Sequence, residues 1–373
     1  MATQTMTPAQ QDAYATAMLL QTGISMVKKL PITPATAMGG SIQIPLQRMG
    51  IMTGVMLHFT VPLAITAAAT QSPLGPYSLV NSITYTDFAG VNRTKTTGFQ
   101  LWAGQCMKAG DLLSYPSFGS PVSGNDAIGF QDTNIINIPT AITAGANLEF
   151  SLYVPMAYDP TSDLRGAVMT QTNVGEHYIT IQLANSLVGA DPVSSPYLTG
   201  TMTTTGVTVE AYQQYIQPQN LSANMLPAIS LSTIYGFEGG YKTTANIAAG
   251  QSTYINYPNN RSILGGLFTY ENGGAFTPNG ADISQITMLV NSNTNFREMS
   301  PKYLRELMRN TCKGDVFQGT YYLGSRRQPI LTQQYANVQA KFDVLTANAG
   351  ITQFLSQYEV LYPSGTPMPG IVQ

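Results

Sequence analysis

The sequence predicts an all-β protein of the sandwich or jelly-roll kind, and three observations carry that expectation. Apolar residues recur at alternate positions in segment after segment. Polar loops rich in Gly and Pro separate those segments, as in YPSFGSPVSGNDAIG at 115–129. Helical patterning is confined to a few stretches, chiefly 7–30 and 300–310. Many short strands joined by turns, with few helices, pack as paired sheets.

The first element is an expected helix over TPAQQDAYATAMLLQTGISMVKKL, residues 7–30. Thr7 is placed to cap it, and Pro8 falls in the first turn, where its missing N–H costs nothing. Lys28 and Lys29 suit the negative end of the helix dipole. Tyr14, Ala17, Met18, Ile24 and Val27 approximate one apolar stripe, with Gly23 a weak point. LPITPATAMGG (30–40) reads as a linker, since its prolines and paired glycines oppose regular structure.

Strands follow. Ile42, Ile44 and Leu46 alternate with Gln43, Pro45 and Gln47. VMLHFTVPLAIT (55–66) is apolar enough to suggest a membrane helix, but its periodicity is that of a strand. Val55, Leu57, Phe59, Val61, Leu63 and Ile65 share one parity, while His58 and Pro62 sit on the other. A helix would mix His58 into its apolar surface and lose hydrogen bonding at Pro62. Leu148, Phe150, Leu152, Val154 and Met156 form the next buried parity, then Ile179, Ile181 and Leu183, then Val207, Val209 and Ala211.

QPQNLSANMLP (217–227) reads as a second linker, after which the pattern restarts with AISLSTIY, SILGGLFTY and VQAKFDVL, where Val338, Ala340, Phe342 and Val344 share a parity. QFLSQYEVLYP closes this half much as VEAYQQYIQP closes the first. SITYTDF…WAGQC (82–106) and QITMLVN…LMRNTC (285–312) each lead from a strand to a segment ending on Cys. SPKYLRELMRN (300–310) is expected to be helical, with Ser300 as cap and Pro301 in the first turn. Patterning alone leaves internal duplication open.

Composition narrows the function. Charged residues make up 10% of the chain, against about 25% in a typical soluble protein. Tyrosine (21) outnumbers Lys plus Arg (17). Two readings fit: a secreted protein with a neutral surface, or a subunit that covers its surface with copies of itself. The net charge of −2 gives no basic field for nucleic acid. Cys106 and Cys312 are too few for a disulfide framework or metal site and are expected to be free thiols of a reducing compartment. MATQTMTPAQQ lacks the features of a signal peptide, so export is not expected.

No catalytic motif is present: HExxH, the P-loop, GxSxG and GxGxxG are all missing. His58, on the parity opposite the core, reads as a packing or interface residue. Glu176 and His177 are adjacent, so in a strand they point to opposite faces. Arg326 and Arg327 read as a solvated turn before a phosphate site. Asn92, Asn220 and Asn260 match glycosylation acceptors only formally. The expected catalytic, cofactor and metal residues are therefore none, and the rival to a structural role is a carbohydrate-binding or glycan-hydrolysing β-sandwich.

Several motifs in order resemble the major capsid proteins of tectiviruses, tailless phages whose icosahedral protein shell encloses a membrane. They are TPAQQDA, LYVPMAYD (152–159), LPAISLSTIY (226–235), ENGGAF (271–276), NTNF (293–296), SPKYLRELMRN and GTYYLGSRRQPILTQQYANV (319–338). The resemblance implies two tandem eight-stranded jelly rolls, a double jelly roll, with a short N-terminal helix and few others. It implies a structural protein that is not an enzyme, needs no cofactor and forms homotrimeric pseudo-hexagonal capsomers. Neighbouring capsomers, vertex and minor capsid proteins and the internal lipid membrane would be its partners, without sequence-specific nucleic-acid binding. Assembly would occur in the host cytoplasm and the protein would reside in the virion shell. On this reading 1–35 is an N-terminal arm, 36–217 the first jelly roll, 218–363 the second and 364–373 a tail. The arm would face the membrane, with Lys28 and Lys29 as its membrane-proximal residues.

Overall fold

The computed structural model describes residues 8–108, 135–137, 146–170, 174–219, 234–277, 280–292, 294–312, 318–324 and 329–362. Helix α1 (Pro8–Thr22) is followed by β1 (Ile24–Lys29), β2 (Ser41–Pro45), β3 (Ile51–Gln71), β4 (Val80–Thr86), β5 (Asn92–Thr96) and α2 (Gly98–Lys108). Then come β6 (Ile135–Asn137), β7 (Ala146–Pro155), β8 (Val168–Met169), β9 (Tyr178–Leu183), β10 (Tyr197–Thr204) and β11 (Thr208–Gln217). The second half runs β12 (Ile234–Thr243), β13 (Ser252–Asn256), β14 (Ser262–Glu271), β15 (Ile283–Val290), β16 (Thr294–Met299) and α3 (Pro301–Cys312). It ends with β17 (Thr320–Gly324), β18 (Ile330–Leu331), β19 (Val338–Val344) and β20 (Gln353–Tyr362).

The start of the chain corrects the expected helix over 7–30. The helix stops at Thr22, and residues 24–29 pair antiparallel with β11, from Ile24 opposite Gln217 to Lys29 opposite Tyr212. Gly23 makes the break, because a Cβ there would lie 2.4 Å from the Leu19 carbonyl oxygen and 2.5 Å from Ile216. The expected stripe is also revised. Tyr14 and Ala17 are exposed, and Leu19 anchors the last turn against Ile51, Ala157, Leu164, Ala167 and Ile216. Thr7 and the linker over 220–227 lie outside the described residues.

The long strands fall into two units. In the first, the eight principal strands in chain order are β1, β2, β3, β4, β5, β7, β9 and β11. Its primary sheet is β1-β11-β3-β7, and its secondary sheet is β5-β4-β9-β2. In the second unit the eight are β12, β13, β14, β15, β16, β17, β19 and β20. Its primary sheet is β12-β20-β14-β17, and its secondary sheet is β16-β15-β19-β13. Both units use the order first-eighth-third-sixth in one sheet and fifth-fourth-seventh-second in the other. That is the jelly-roll order, drawn twice in one chain, and both units place a helix between their fifth and sixth strands.

The cores follow the alternations. Val55, Leu57, Phe59 and Val61 on β3 are fully buried. Leu57 aligns with Leu152 and Ala211, and Phe59 with Phe150 and Val209. The Phe59 and Phe150 rings stack at 4.7 Å. In the second unit Phe342 on β19 meets Phe268 and Phe354 of the primary sheet at 5.2 and 4.7 Å between centroids. Ser300 caps α3 as expected, its Oγ accepting from the Tyr303 N–H at 3.2 Å.

Candidate functional site: the seam and the uncovered sheet

Two surfaces follow from this plan, one covered within the chain and one left open. The covered surface is the seam between the jelly rolls. The second unit's primary sheet turns Phe354, Tyr358 and Val360 inward, and Leu355, Gln357 and Glu359 lie on the opposite parity of β20. That outer face is buried too, because α2 of the first unit lies on it. The Gln100 carbonyl accepts from Gln357 Nε2 at 2.9 Å, and Gln100 Oε1 accepts from the Gly240 N–H at 2.7 Å. Thr96 Oγ1 donates to Gln357 Oε1.

Glycine makes the close approach possible. A Cβ on Gly104 of α2 would lie 2.5 Å from Gln357 Nε2 and 3.3 Å from Phe237. A Cβ on Gly236 would lie 1.7 Å from the Arg93 carbonyl oxygen. The sheets also join directly, since β12 pairs parallel with β5 at Glu238 and Lys95. Glu238 is buried, and Arg261 Nε donates to its Oε1 at 2.6 Å. Burial pushes the Glu238 carboxyl above its ordinary pKa, and the neighbouring guanidinium opposes that shift. Tyr235 Oη donates to Glu359 Oε1 at 2.9 Å, so this carboxylate is also answered inside the seam.

The open surface is the outer face of the first unit's primary sheet. Three rows cross it: Lys29, Tyr212 and Met56; Glu210, His58 and Ser151; Thr208, Thr60 and Glu149. All of these are exposed or half-buried. Lys29 Nζ and Tyr212 Oη both donate to Glu210 Oε2, at 2.9 and 2.7 Å. The Tyr212 hydroxyl and the lysine ammonium lower the Glu210 pKa, and the bond to Glu210 raises that of Lys29.

The expected pair Lys28 and Lys29 is thus on a strand, with its two side chains on opposite faces. Lys29 is tied to Glu210, whereas Lys28 is exposed and makes no ion pair among the described residues. Sequence reasoning missed the Glu210–Tyr212–Lys29 cluster, because Lys29 lies 181 positions from Glu210 and only the strand after Gly23 brings them together.

His58 Nδ1 lies 3.1 Å from Ser151 Oγ, with Glu210 in the same row. These are the residue types of a nucleophilic triad, but the setting is a flat strand face whose backbone amides are engaged in the sheet ladder. That leaves no donor pair to hold an oxyanion, and Glu210 is committed to Lys29 and Tyr212. His177 is buried beside Phe88, 4.1 Å between ring centroids, and burial pushes its pKa down to about 4. It is neutral at neutral pH and packs as an aromatic. Among the described residues no group of three or more His, Cys, Asp or Glu is placed to hold a metal ion, and no helix is long and apolar enough to cross a membrane. The side chains of Cys106 and Cys312, and residues Arg326 and Arg327, lie outside the described residues.

Solved structures that the chain resembles include major capsid proteins of viruses. A chain of Sulfolobus turreted icosahedral virus matches with a TM-score of 0.64 at 12% identity, covering 92% of each chain. The major capsid protein P2 of bacteriophage PM2 matches with a TM-score of 0.53 at 10% identity, covering 92% of this chain and 98% of that one. The fold class is therefore the double jelly roll of capsid proteins. Family models narrow it further: the P3 major capsid protein N-terminal model matches residues 19–217, and the C-terminal model matches residues 232–366. The chain belongs to the P3 major capsid protein family. The major capsid protein P3 of Enterobacteria phage PRD1 is 27% identical over 384 aligned positions, covering 95% of both chains. The protein is a structural component of a virion shell and not an enzyme.

Proposed function

We propose that three copies of this chain close into a homotrimeric capsomer of pseudo-hexagonal outline, which tiles an icosahedral phage shell around an internal membrane. One observation carries this reading. Two jelly rolls of identical strand order are fused across a buried seam, so three chains supply six near-equivalent units to one ring. On this reading the first jelly roll runs from Ile24 to Gln217 and the second from Ile234 to Tyr362, with an arm before Gly23 and a tail after 363. The earlier limit of 35 for the arm moves because β1 belongs to the first unit's sheet.

The chain is made and assembled in the host cytoplasm, and vertex and minor capsid proteins complete the shell. The arm and the adjoining edge strand β1 face the membrane, and Lys28 of β1 supports that role because it is exposed to meet an anionic headgroup. One such charge contributes about 1 kcal/mol, so binding depends on many arms acting together. Light scattering on the purified protein tests the trimer: the expected mass is three times 40.0 kDa. A folded chain that runs at the mass of one copy at micromolar concentration refutes it. Lys28→Glu should weaken flotation with anionic liposomes while leaving the trimer intact, and unchanged flotation removes Lys28 from the membrane contact.

A further inference from the structure

The internal repeat pairs the two halves residue by residue at the places where they differ most in exposure. Each helix begins two positions after its unit's fifth strand ends: β5 ends at Thr96 and α2 starts at Gly98, while β16 ends at Met299 and α3 starts at Pro301. This alignment sets Leu101 on Leu304, both buried, and it sets Gln100 on Tyr303 and Gly104 on Leu307. Gln100 and Gly104 are the residues of α2 that rest on the second unit's primary sheet. Tyr303 and Leu307, their counterparts, are 60% and 46% exposed. One helix is covered at these positions and the other exposes an aromatic and an aliphatic side chain, four residues apart on one face.

The receiving sheets match in the same way. The eighth strands are β11 and β20, each of ten residues, and their alignment sets Tyr212 on Gln357. The first strands are β1 and β12. Phe237 of β12 lies opposite Glu359, and Val27 of β1 lies opposite Gln214, which takes the place of Glu359. Gln357 and Phe237 are the two residues under Gly104, and both are buried. Their counterparts are Tyr212, half-buried, and Val27, 61% exposed.

We infer that α3 of one chain docks, through Tyr303 and Leu307, on the Val27–Tyr212 face of the first jelly roll of a second copy. The contact repeats between chains the geometry that α2 makes within the chain. The argument for a second copy is that both surfaces are in the chain already: a helix face that exposes Tyr303 and Leu307, and a sheet face over which no described element lies. Since the two surfaces differ, the contact is head-to-tail, and head-to-tail contacts generate closed rings when the rotation closes. This inference rests on the capsomer reading and names the surface that would hold it together.

Disulfide trapping tests it, with Val27→Cys and Leu307→Cys combined in one full-length chain. Both positions are exposed, so folding is not at stake, and a bridge forms only where the two Cα atoms come within about 7 Å. The expected result under mild oxidation is covalent dimers and trimers on a denaturing gel, stopping at three chains, with neither product from either single variant. Covalent products that stop at two chains, or none from a protein that scatters as a trimer, overturn the docking surface and leave the trimer standing. A wild-type protein that scatters as one chain refutes the capsomer itself, and the docking inference falls with it.

Discussion

Strands β3 and β14 hold the same place in their jelly rolls, third in order and central in the primary sheet, yet they are buried differently. From Val55 to Leu63, β3 keeps its odd positions wholly inside and leaves Met56, His58, Thr60 and Pro62 half-buried. In β14 every residue from Ile263 to Glu271 is buried. The difference lies in what covers the outer face. Over β3 there is no element among the described residues, while the second unit's primary sheet lies under α2 and the seam. Period-two alternation therefore marks a strand with one wet face, and it vanishes where a second domain takes the place of water.

The largest test of this contrast is in the dry core that both units share. Phe59→Ala should cost about 3–5 kcal/mol through the cavity left beside Phe150, read as a lower urea midpoint. A cost below 1 kcal/mol would break the register on which the comparison stands.

Next come two buried titrating groups, one in each jelly roll, with opposite signs. Burial raises the Glu271 pKa from 4.5 to about 7, partly offset by the amide of Gln353. The folded state then holds a proton that the unfolded chain has released, so the Glu271 contribution to stability is greatest below about pH 4.5 and is lost as pH rises to about 7. Burial lowers the His177 pKa from 6.5 to about 4. Its contribution is complete above about pH 6.5 and is lost as pH falls towards 4. Each slope amounts to roughly 3 kcal/mol at most. Glu271→Gln should raise the thermal midpoint at pH 8, and His177→Phe should flatten the acid limb. If neither variant changes the pH profile, the two groups are not the source of these slopes.

The seam comes third. Gly236→Ala forces a Cβ against the Arg93 carbonyl and should cost about 1–3 kcal/mol. Differential calorimetry should then show the single transition broadening or splitting as the two jelly rolls uncouple. An unchanged single peak would mean that they are held together elsewhere. The smallest effect is at α3, where Ser300→Ala removes the cap and should cost about 1 kcal/mol, visible as lower helical ellipticity on mild heating.

Much of the fold was legible because it is written in local periodicity. The strands with one half-open face, β2, β3, β7, β9, β11 and β19, announce themselves by alternation, and α3 by Ser300 and Pro301. The start of the chain was misread for a physical reason. ISMVKK has no alternation, since all six residues of β1 are exposed, and an edge strand with both faces bare leaves no pattern to find. Gly23 reads as a weak point of the helix, but its meaning lies in Leu19 and Ile216, and Ile216 is supplied by a strand nearly two hundred residues away. The seam was equally hidden. Gln100, Gly104, Gly236 and Gln357 are unremarked polar or small residues until two domains meet across them. The triad of Lys29, Glu210 and Tyr212 was invisible for the same reason, since only the register of β1 on β11 assembles it.

The fusion of two half-units in one chain also brings a rule of arithmetic. Any ring closed by whole chains contains an even number of jelly rolls, alternating strictly between the two kinds. Three chains give six positions and two would give four, but five is unreachable. A closed icosahedral surface must contain twelve points of fivefold rotation. On the capsomer proposed above, rings of six pave the flat ground between those points, and a corner needs either five whole chains, ten jelly rolls, or a different protein.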